Sequence, residues 1–241
     1  MLRDHFISVI IAAAGQGKRM NQNVNKQYIN LLGKPILVHT LEVFEKSNFI
    51  DEIIVVTHPQ EMNYCTKNII SFYNFKKVKK VISGGAERQD SIYNGLQEID
   101  EKSSIVVIHD GARPFIKQEN ILQSIYEAIK YKAVGVGVPV KDTIKVVDED
   151  QIIESTPNRK FLWAIQTPQV FCHDLLIKAH KKAMQDQYIG TDDTVLVERM
   201  GQNVKMLMGS YENIKITTPE DLYIGEAILK RRNKDESRNG I

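Results

Sequence analysis

Phe6-Ile7-Ser8-Val9-Ile10-Ile11-Ala12-Ala13-Ala14-Gly15-Gln16-Gly17-Lys18-Arg19-Met20 is a short, continuous apolar run that stops at a basic loop with two glycines. Continuous rather than alternating apolarity marks a strand buried on both faces, as in a parallel sheet. Ile53-Ile54-Val55-Val56-Thr57 and Ser104-Ile105-Val106-Val107-Ile108 share that character, and Val78 to Ile82 reads as a further strand. Helical spacing fills the gaps between them. Pro35 to Phe44 opens with proline at a first helical position and spaces Ile36, Thr40, Val43 and Phe44 along one side. Arg88 to Ile99 follows, then Glu119 to Tyr131 with Ile121, Ile125, Ala128 and Ile129 on one face. Strand and helix in alternation predict an α/β fold, mostly parallel, with helices on both faces of the sheet.

The second half is less regular. Val134 to Val140 reads as a strand, whereas Asp142 to Phe161 alternates, is studded with charges and holds Pro157, so it reads as an exposed hairpin or arm. His173 to Met184 and Thr191 to Met200 read as helices, the second with acids at its positive end. Asn203 to Met208 and Ile214 to Thr217 read as short late strands. Thr218-Pro219-Glu220-Asp221 then starts a last helix with a cap, a proline and two acids.

Composition bounds the function. The chain has 241 residues, 42% hydrophobic, with a formal net charge of +2, which excludes a disordered protein and suits one domain, here 1–229. The longest apolar run, Val9 to Ala14, falls well short of the roughly 18 residues a membrane span needs. Nothing in Met1 to Phe6 has the layout of a signal peptide. Cys65 and Cys172 read as free thiols of a reducing compartment, so the expected location is cytoplasmic. Residues 230–241 hold five basic side chains against two acidic ones and read as a solvated, disordered tail. The body carries no basic footprint for nucleic acid.

In a parallel sheet a ligand sits beyond the carboxyl ends of the strands, where the 12–20 loop must lie. Its small residues let backbone N–H groups approach phosphate oxygens. A dinucleotide fingerprint fails at Met20, where a third glycine belongs, and a P-loop fails at Ala12 and Arg19. A bare strand-to-loop turn has no need of Lys18, Arg19 and Lys26. His109-Asp110-Gly111-Ala112-Arg113-Pro114 follows another strand and emerges at the same edge. Asp110 there suits a Mg²⁺ ligand, or equally a cap on a turn before glycine, and His109 reads as a packed histidine. Gly84-Gly85-Ala86-Glu87-Arg88-Gln89-Asp90-Ser91 joins a strand to a helix, as a base or phosphate cradle or as an ordinary connection. No cluster has zinc spacing.

Together these loops resemble the 2-C-methyl-D-erythritol 4-phosphate cytidylyltransferases of the non-mevalonate isoprenoid pathway. The resemblance rests on AAAGQGKRM at 12–20, NKQY at 25–28, GKPILVHTL at 33–41 and GGAERQDSI at 84–92. It continues through HDGARPF at 109–115, PVKDTIK at 139–145, RKFLWAIQTPQVF at 159–171, TDD at 191–193 and NIKITTPEDL at 213–222. It implies a Rossmann-like nucleotidyltransferase sheet with a protruding β-arm. It also implies transfer of a cytidylyl group from CTP to a sugar-alcohol phosphate, with Mg²⁺ as cofactor.

Carried over by position, Ala13, Ala14, Gly15 and Gly17 would hold CTP, with Gly85 and Ser91 around the cytosine and Asp110 and Gly111 also at the nucleotide. Arg19 and Lys26 match the basic pair that stabilises the transition state, and Asp110 matches the Mg²⁺ ligand. Thr143, Arg159, Thr167 and Lys215 match the grip on methylerythritol phosphate, with Arg159 and Lys215 also orienting its attack. Residues 139–165 match an arm that enters the other subunit of a homodimer, so Thr143 and Arg159 would serve the neighbour's site. One departure is Asn25, where many members carry proline before Lys-Gln: Lys26 keeps its register, and the loop gives up proline's rigidity. The rival is a ribitol 5-phosphate cytidylyltransferase, against which Gly111-Ala112 and Trp163 speak. A non-catalytic binding module is the other alternative, and it would have no need of Arg19, Lys26 and Asp110 together.

Overall fold

The computed structural model describes residues 4–15 and 25–238. Its strands and helices run β1 (Phe6–Ala13), β2 (Asn30–Leu31), β3 (Lys34–Pro35), α1 (Ile36–Glu45), β4 (Glu52–Thr57), α2 (Met62–Tyr64), β5 (Val78–Ser83), α3 (Arg88–Leu96), β6 (Ser103–Asp110) and α4 (Gln118–Tyr131). They continue with β7 (Ala133–Pro139), β8 (Val146–Val147), β9 (Ile153–Ser155), β10 (Trp163–Cys172), α5 (His173–Gln185), α6 (Asp193–Glu198), β11 (Lys205–Met208) and α7 (Pro219–Arg238). Seven strands form one sheet in the order β11-β7-β10-β6-β1-β4-β5. β1 pairs in parallel with both β4 and β6, β4 with β5, and β7 with β11; β10 alone runs antiparallel to its neighbours.

Both faces of the sheet are covered, as the continuous apolar runs require. Ile7, Val9 and Ile11 point into one core with α1 and α4, while Ile10 points into another with α3, α5 and α6. Register then places the site. Ala12 lies beside Asp110, Ala13 beside Thr57, and Thr57 beside Ser83. The carboxyl ends of four parallel strands therefore finish level, and the loops that follow them open on one edge.

Four expectations change. Pro35 caps α1 from outside rather than opening it. β10, the long strand between β6 and β7, stands in the sequence reading only as part of the motif at 159–171; Pro168 is unusual inside a central strand, and the pairing with β7 shifts register between Ile165 and Gln169 and so accommodates it. Residues 214–217 form no strand. Ile216 is fully buried and its N–H donates to the Ala112 carbonyl, so the segment leans on the loop after β6 instead of extending the sheet. The expected disordered tail is helical through Arg238: Arg232 donates to the Phe115 carbonyl at 2.8 Å, and with Arg231 it pairs with Glu212. Asp221 starts that helix by accepting the N–H groups of Thr217 and Thr218.

β8 and β9 pair only with each other, and all five of their residues are exposed. Among the described residues no helix is long and apolar enough to cross a membrane.

Gly95 fixes how closely α3 lies on the sheet, since a Cβ there would sit 2.8 Å from Ile10 Cγ2 and 3.3 Å from Val56 Cγ2. Gly95→Ala gains about 1 kcal/mol of helix propensity but overpacks the interface by about 1–3 kcal/mol. The overpacking wins, and thermal melts should show Tm lowered by a few degrees rather than raised, at about 2–4 °C per kcal/mol.

Candidate functional site

At the level edge of the sheet lies a cleft of ≈ 250 Å³. Its floor is Ala12 to Gly15 as the chain leaves β1, one wall is Gly85 to Arg88 with Ser91, and the other is Lys26, Gln27, Asp110, Ala112 and Lys215. The wall before α3 needs both its glycines. A Cβ on Gly84 would meet Ala14 Cβ at 2.5 Å, and one on Gly85 would meet Asp90 Cβ at 2.4 Å. The Ser91 hydroxyl holds this loop from within, accepting the Gly85 N–H at 3.1 Å and donating to the Glu87 carbonyl at 3.0 Å.

Asp110 is the electrostatic centre. It is buried, and three cations reach it: Lys215 Nζ at 2.9 Å, Arg113 Nε at 3.4 Å and Arg88 Nε at 3.7 Å. Burial opposes its charge, but Lys215, Arg88 and Arg113 overcome that and hold its carboxyl well below the usual carboxylate range. Its backbone N–H donates to the Thr167 hydroxyl at 3.0 Å. Arg113 is itself fixed by donation to the Asn213 carbonyl at 2.8 Å. His109 packs 4.9 Å from the Phe44 ring and donates to the Arg113 carbonyl, and burial pushes its imidazole down to about 4.

Behind Arg88 lies a second buried carboxylate. Arg88 Nη1 donates to Asp193 Oδ2 at 2.6 Å, and His180 Nε2 lies 3.2 Å from Asp193 Oδ1. Burial works against the Asp193 charge; Arg88 and then His180 outweigh it and keep its carboxyl low. Gln89 adds a parallel clamp, donating to the Tyr188 carbonyl and accepting the Gly190 N–H. The TDD segment thus braces the start of α3.

The structure brings Ala13, Ala14, Gly15, Lys26, Gly85, Ser91, Asp110 and Lys215 to one cleft. Gly111 lies behind it, its N–H on the Ala12 carbonyl and its carbonyl on Thr40. Thr167 lies beneath, its buried hydroxyl spent on Asp110. Thr143 and Arg159 are exposed and lie outside the lining; Arg159 donates to the Lys141 carbonyl. Gly17 and Arg19 fall outside the described residues.

Sequence reasoning gave no site role to Arg88 or Arg113 and read Asp193 only as an acid at the start of a helix. One signal was available: Arg88 is the first residue of α3, and a cation at a helix N-terminus opposes the helix dipole unless a carboxylate offsets it. Among the described residues no group of three His, Cys, Asp or Glu could hold a metal alone. A single ionised carboxylate beside a backbone cradle fits Mg²⁺ that takes its other oxygens from phosphates and water.

Residues 7–231 match the family model of 2-C-methyl-D-erythritol 4-phosphate cytidylyltransferase (IspD). A relative of that name from Caldanaerobacter subterraneus subsp. tengcongensis is 52% identical over 93% of this chain and 99% of its own length. Another, from Clostridioides difficile, is 54% identical over 95% of this chain and 96% of its own. Among solved structures, 4-diphosphocytidyl-2C-methyl-D-erythritol synthase from Anaerococcus prevotii superposes with a TM-score of 0.84 at 37% identity, covering 95% of this chain and 98% of that one.

The Arg88–Asp193 pair carries a stability prediction. Arg88→Met strands a buried carboxylate and should cost on the order of 3 kcal/mol in urea denaturation. Arg88→Met with Asp193→Asn removes that stranded charge and should recover most of the loss.

Proposed function

Because the chain belongs to the 2-C-methyl-D-erythritol 4-phosphate cytidylyltransferase family, we propose that the cleft beside Asp110 is where its reaction takes place. The enzyme transfers the cytidylyl group of CTP to 2-C-methyl-D-erythritol 4-phosphate, giving 4-diphosphocytidyl-2-C-methyl-D-erythritol and pyrophosphate. The names of its relatives favour this over ribitol 5-phosphate as the acceptor. The observation that carries the placement is the convergence of a small-residue floor, Lys26, Asp110 and Lys215 on one cleft.

The acceptor phosphate is a dianion near neutral pH and needs no general base. Its oxygen bonds to the α-phosphorus of CTP as the bond to the bridging α–β oxygen breaks, and pyrophosphate leaves with that electron pair. The difficulty is to bring two anions together while negative charge gathers on the α-phosphoryl oxygens, so the protein's work is positioning and charge neutralisation. Backbone N–H groups of residues 13–15 and 17 cradle the triphosphate, and Gly85 and Ser91 frame the base. Arg19 offers a fork for two oxygens and Lys26 a mobile point charge. Lys215 orients the attacking phosphate. Asp110 would hold Mg²⁺, which when bound would supply charge neutralisation for the leaving pyrophosphate.

We also propose a homodimer. Val147, Ile152, Ile153 and Phe161 are 49%, 64%, 58% and 74% exposed around a two-stranded hairpin, and such a hairpin is marginal alone. An apolar patch of this kind marks an interface. Thr143 and Arg159, on the same arm and outside this chain's cleft, then reach the partner's acceptor phosphate. Two unpaired cysteines, one of them buried, fit a cytoplasmic location.

Pyrophosphate release from CTP and Mg²⁺ tests the reaction directly, with methylerythritol 4-phosphate and ribitol 5-phosphate offered in parallel; preference for ribitol phosphate would overturn the acceptor assignment. Arg19→Ala and Lys26→Ala should each lower kcat by on the order of 10² with the fold intact. Lys215→Ala should raise KM for the acceptor and leave CTP binding alone. Inactive Arg159→Ala and Asp110→Asn chains, mixed and allowed to exchange, should recover about a quarter of wild-type activity, since half the dimers carry one complete site. Mixtures as inactive as their components would remove the shared site.

A further inference from the structure

Lys26 opens a single 3-10 turn, Lys26–Tyr28, and one carboxylate grips both of its sequence neighbours. Asn25 Nδ2 donates to Glu61 Oε1, and Gln27 Nε2 donates to Glu61 Oε2 at 3.3 Å. The same Gln27 amide donates at 2.6 Å to the carbonyl of Ala13, the last residue of β1 and part of the cleft floor. A carboxylate only accepts hydrogen bonds, so Glu61 dictates which way both amides face. Were Gln27 reversed, its oxygen would confront two acceptors at once. One residue on, the hydroxyls of Tyr28 and Thr57 share a hydrogen bond at 2.8 Å. The turn is thereby tied to the ends of two strands, and the tie to the connection after β4 runs through Glu61.

We propose that Glu61 is a positioning residue for the cytidylyl transfer, holding Asn25 and Gln27 so that the lysine between them delivers its ammonium into the cleft. The inference rests on the role given to Lys26 above. Glu61 does not line the cleft, so its effect on turnover passes through the turn.

The backbone supplies a second way to obtain the same rigidity. Asn25 has φ −60° and ψ 138°; the first is the angle a proline ring imposes, and the second is extended backbone that proline adopts without strain. Proline at that position would stiffen the turn covalently and make the carboxylate dispensable.

The test measures kcat, KM for CTP and for the acceptor, and Tm for five variants: Glu61→Ala, Glu61→Gln, Glu61→Ala with Asn25→Pro, Lys26→Ala, and Lys26→Ala with Glu61→Ala. Glu61→Ala should lower kcat about tenfold, short of the roughly 10²-fold that a full 1 Å misplacement can cost, with acceptor KM changed less than about twofold. Glu61→Gln retains one acceptor oxygen and should fall between it and the wild type, which keeps the reading available if the alanine variant folds poorly. Adding Asn25→Pro should return most of the lost kcat. In the Lys26→Ala background, Glu61→Ala should cost less than about twofold more, because residues acting as one unit are not additive. A full tenfold loss in that background, or no recovery with proline, would overturn the inference. Near-normal turnover of Lys26→Ala by itself would instead overturn the role of Lys26, and that failure is visible separately.

Discussion

A carboxylate buried at the end of a parallel strand is the constraint around which the rest of this molecule is arranged. Asp110 lies level with Ala12, near the end of β1, so the place proposed for the nucleotide is also where an isolated charge is most costly. Three cations answer that cost, and each comes from a different part of the chain. Arg113 comes from the turn after β6, Arg88 from the start of α3, and Lys215 from the segment that leans on Ala112. Satisfying one carboxylate therefore ties the start of α3, the loop after β6 and the run into α7 to a single point.

The same logic repeats one layer deeper. Arg88 can face Asp110 only because Asp193, fully buried, draws its other edge away at 2.6 Å. Asp193 sits at the start of α6, where Gln169 accepts its N–H and also donates to Asp192. Gln169 belongs to β10, the antiparallel strand, which also delivers Thr167 to the Asp110 N–H. A strand running against the others thus supports the site from beneath.

Much of this was legible in the sequence and some was not, for identifiable reasons. The apolar runs at 6–12, 53–57 and 104–108 reported burial on both faces, because that burial is a property of each segment alone. The loop residues at the strand ends followed from topology once the sheet was parallel. β10 stands in the sequence only as part of the 159–171 motif: Pro168 interrupts the local strand pattern, and only pairing reveals the register shift that accommodates it. The tail was misread because five basic side chains look solvated until Glu212 and the Phe115 carbonyl are brought to them. Arg88 and Asp193 stand 105 residues apart, and nothing local announces that they meet. Asn25 is the instructive case: its departure from proline implied a looser loop, yet its backbone holds a proline-like φ and its side chain is anchored on Glu61.

The division of labour among the cations follows from their chemistry. Arg88 and Arg113 are planar forks with several donors, and both are locked by second partners, Asp193 and the Asn213 carbonyl. They suit a fixed task, holding one carboxylate in one orientation. Lys26 and Lys215 carry point charges on flexible stems, and the Lys215 side chain is 36% exposed. Such groups suit anions that move, as the phosphates must between the two substrates and the two products. A flexible stem is useful only if its base is fixed, since looseness in both would spread the charge over positions where it stabilises nothing. That requirement explains why the chain invests a carboxylate, two amides and a tyrosine–threonine pair in a turn of three residues.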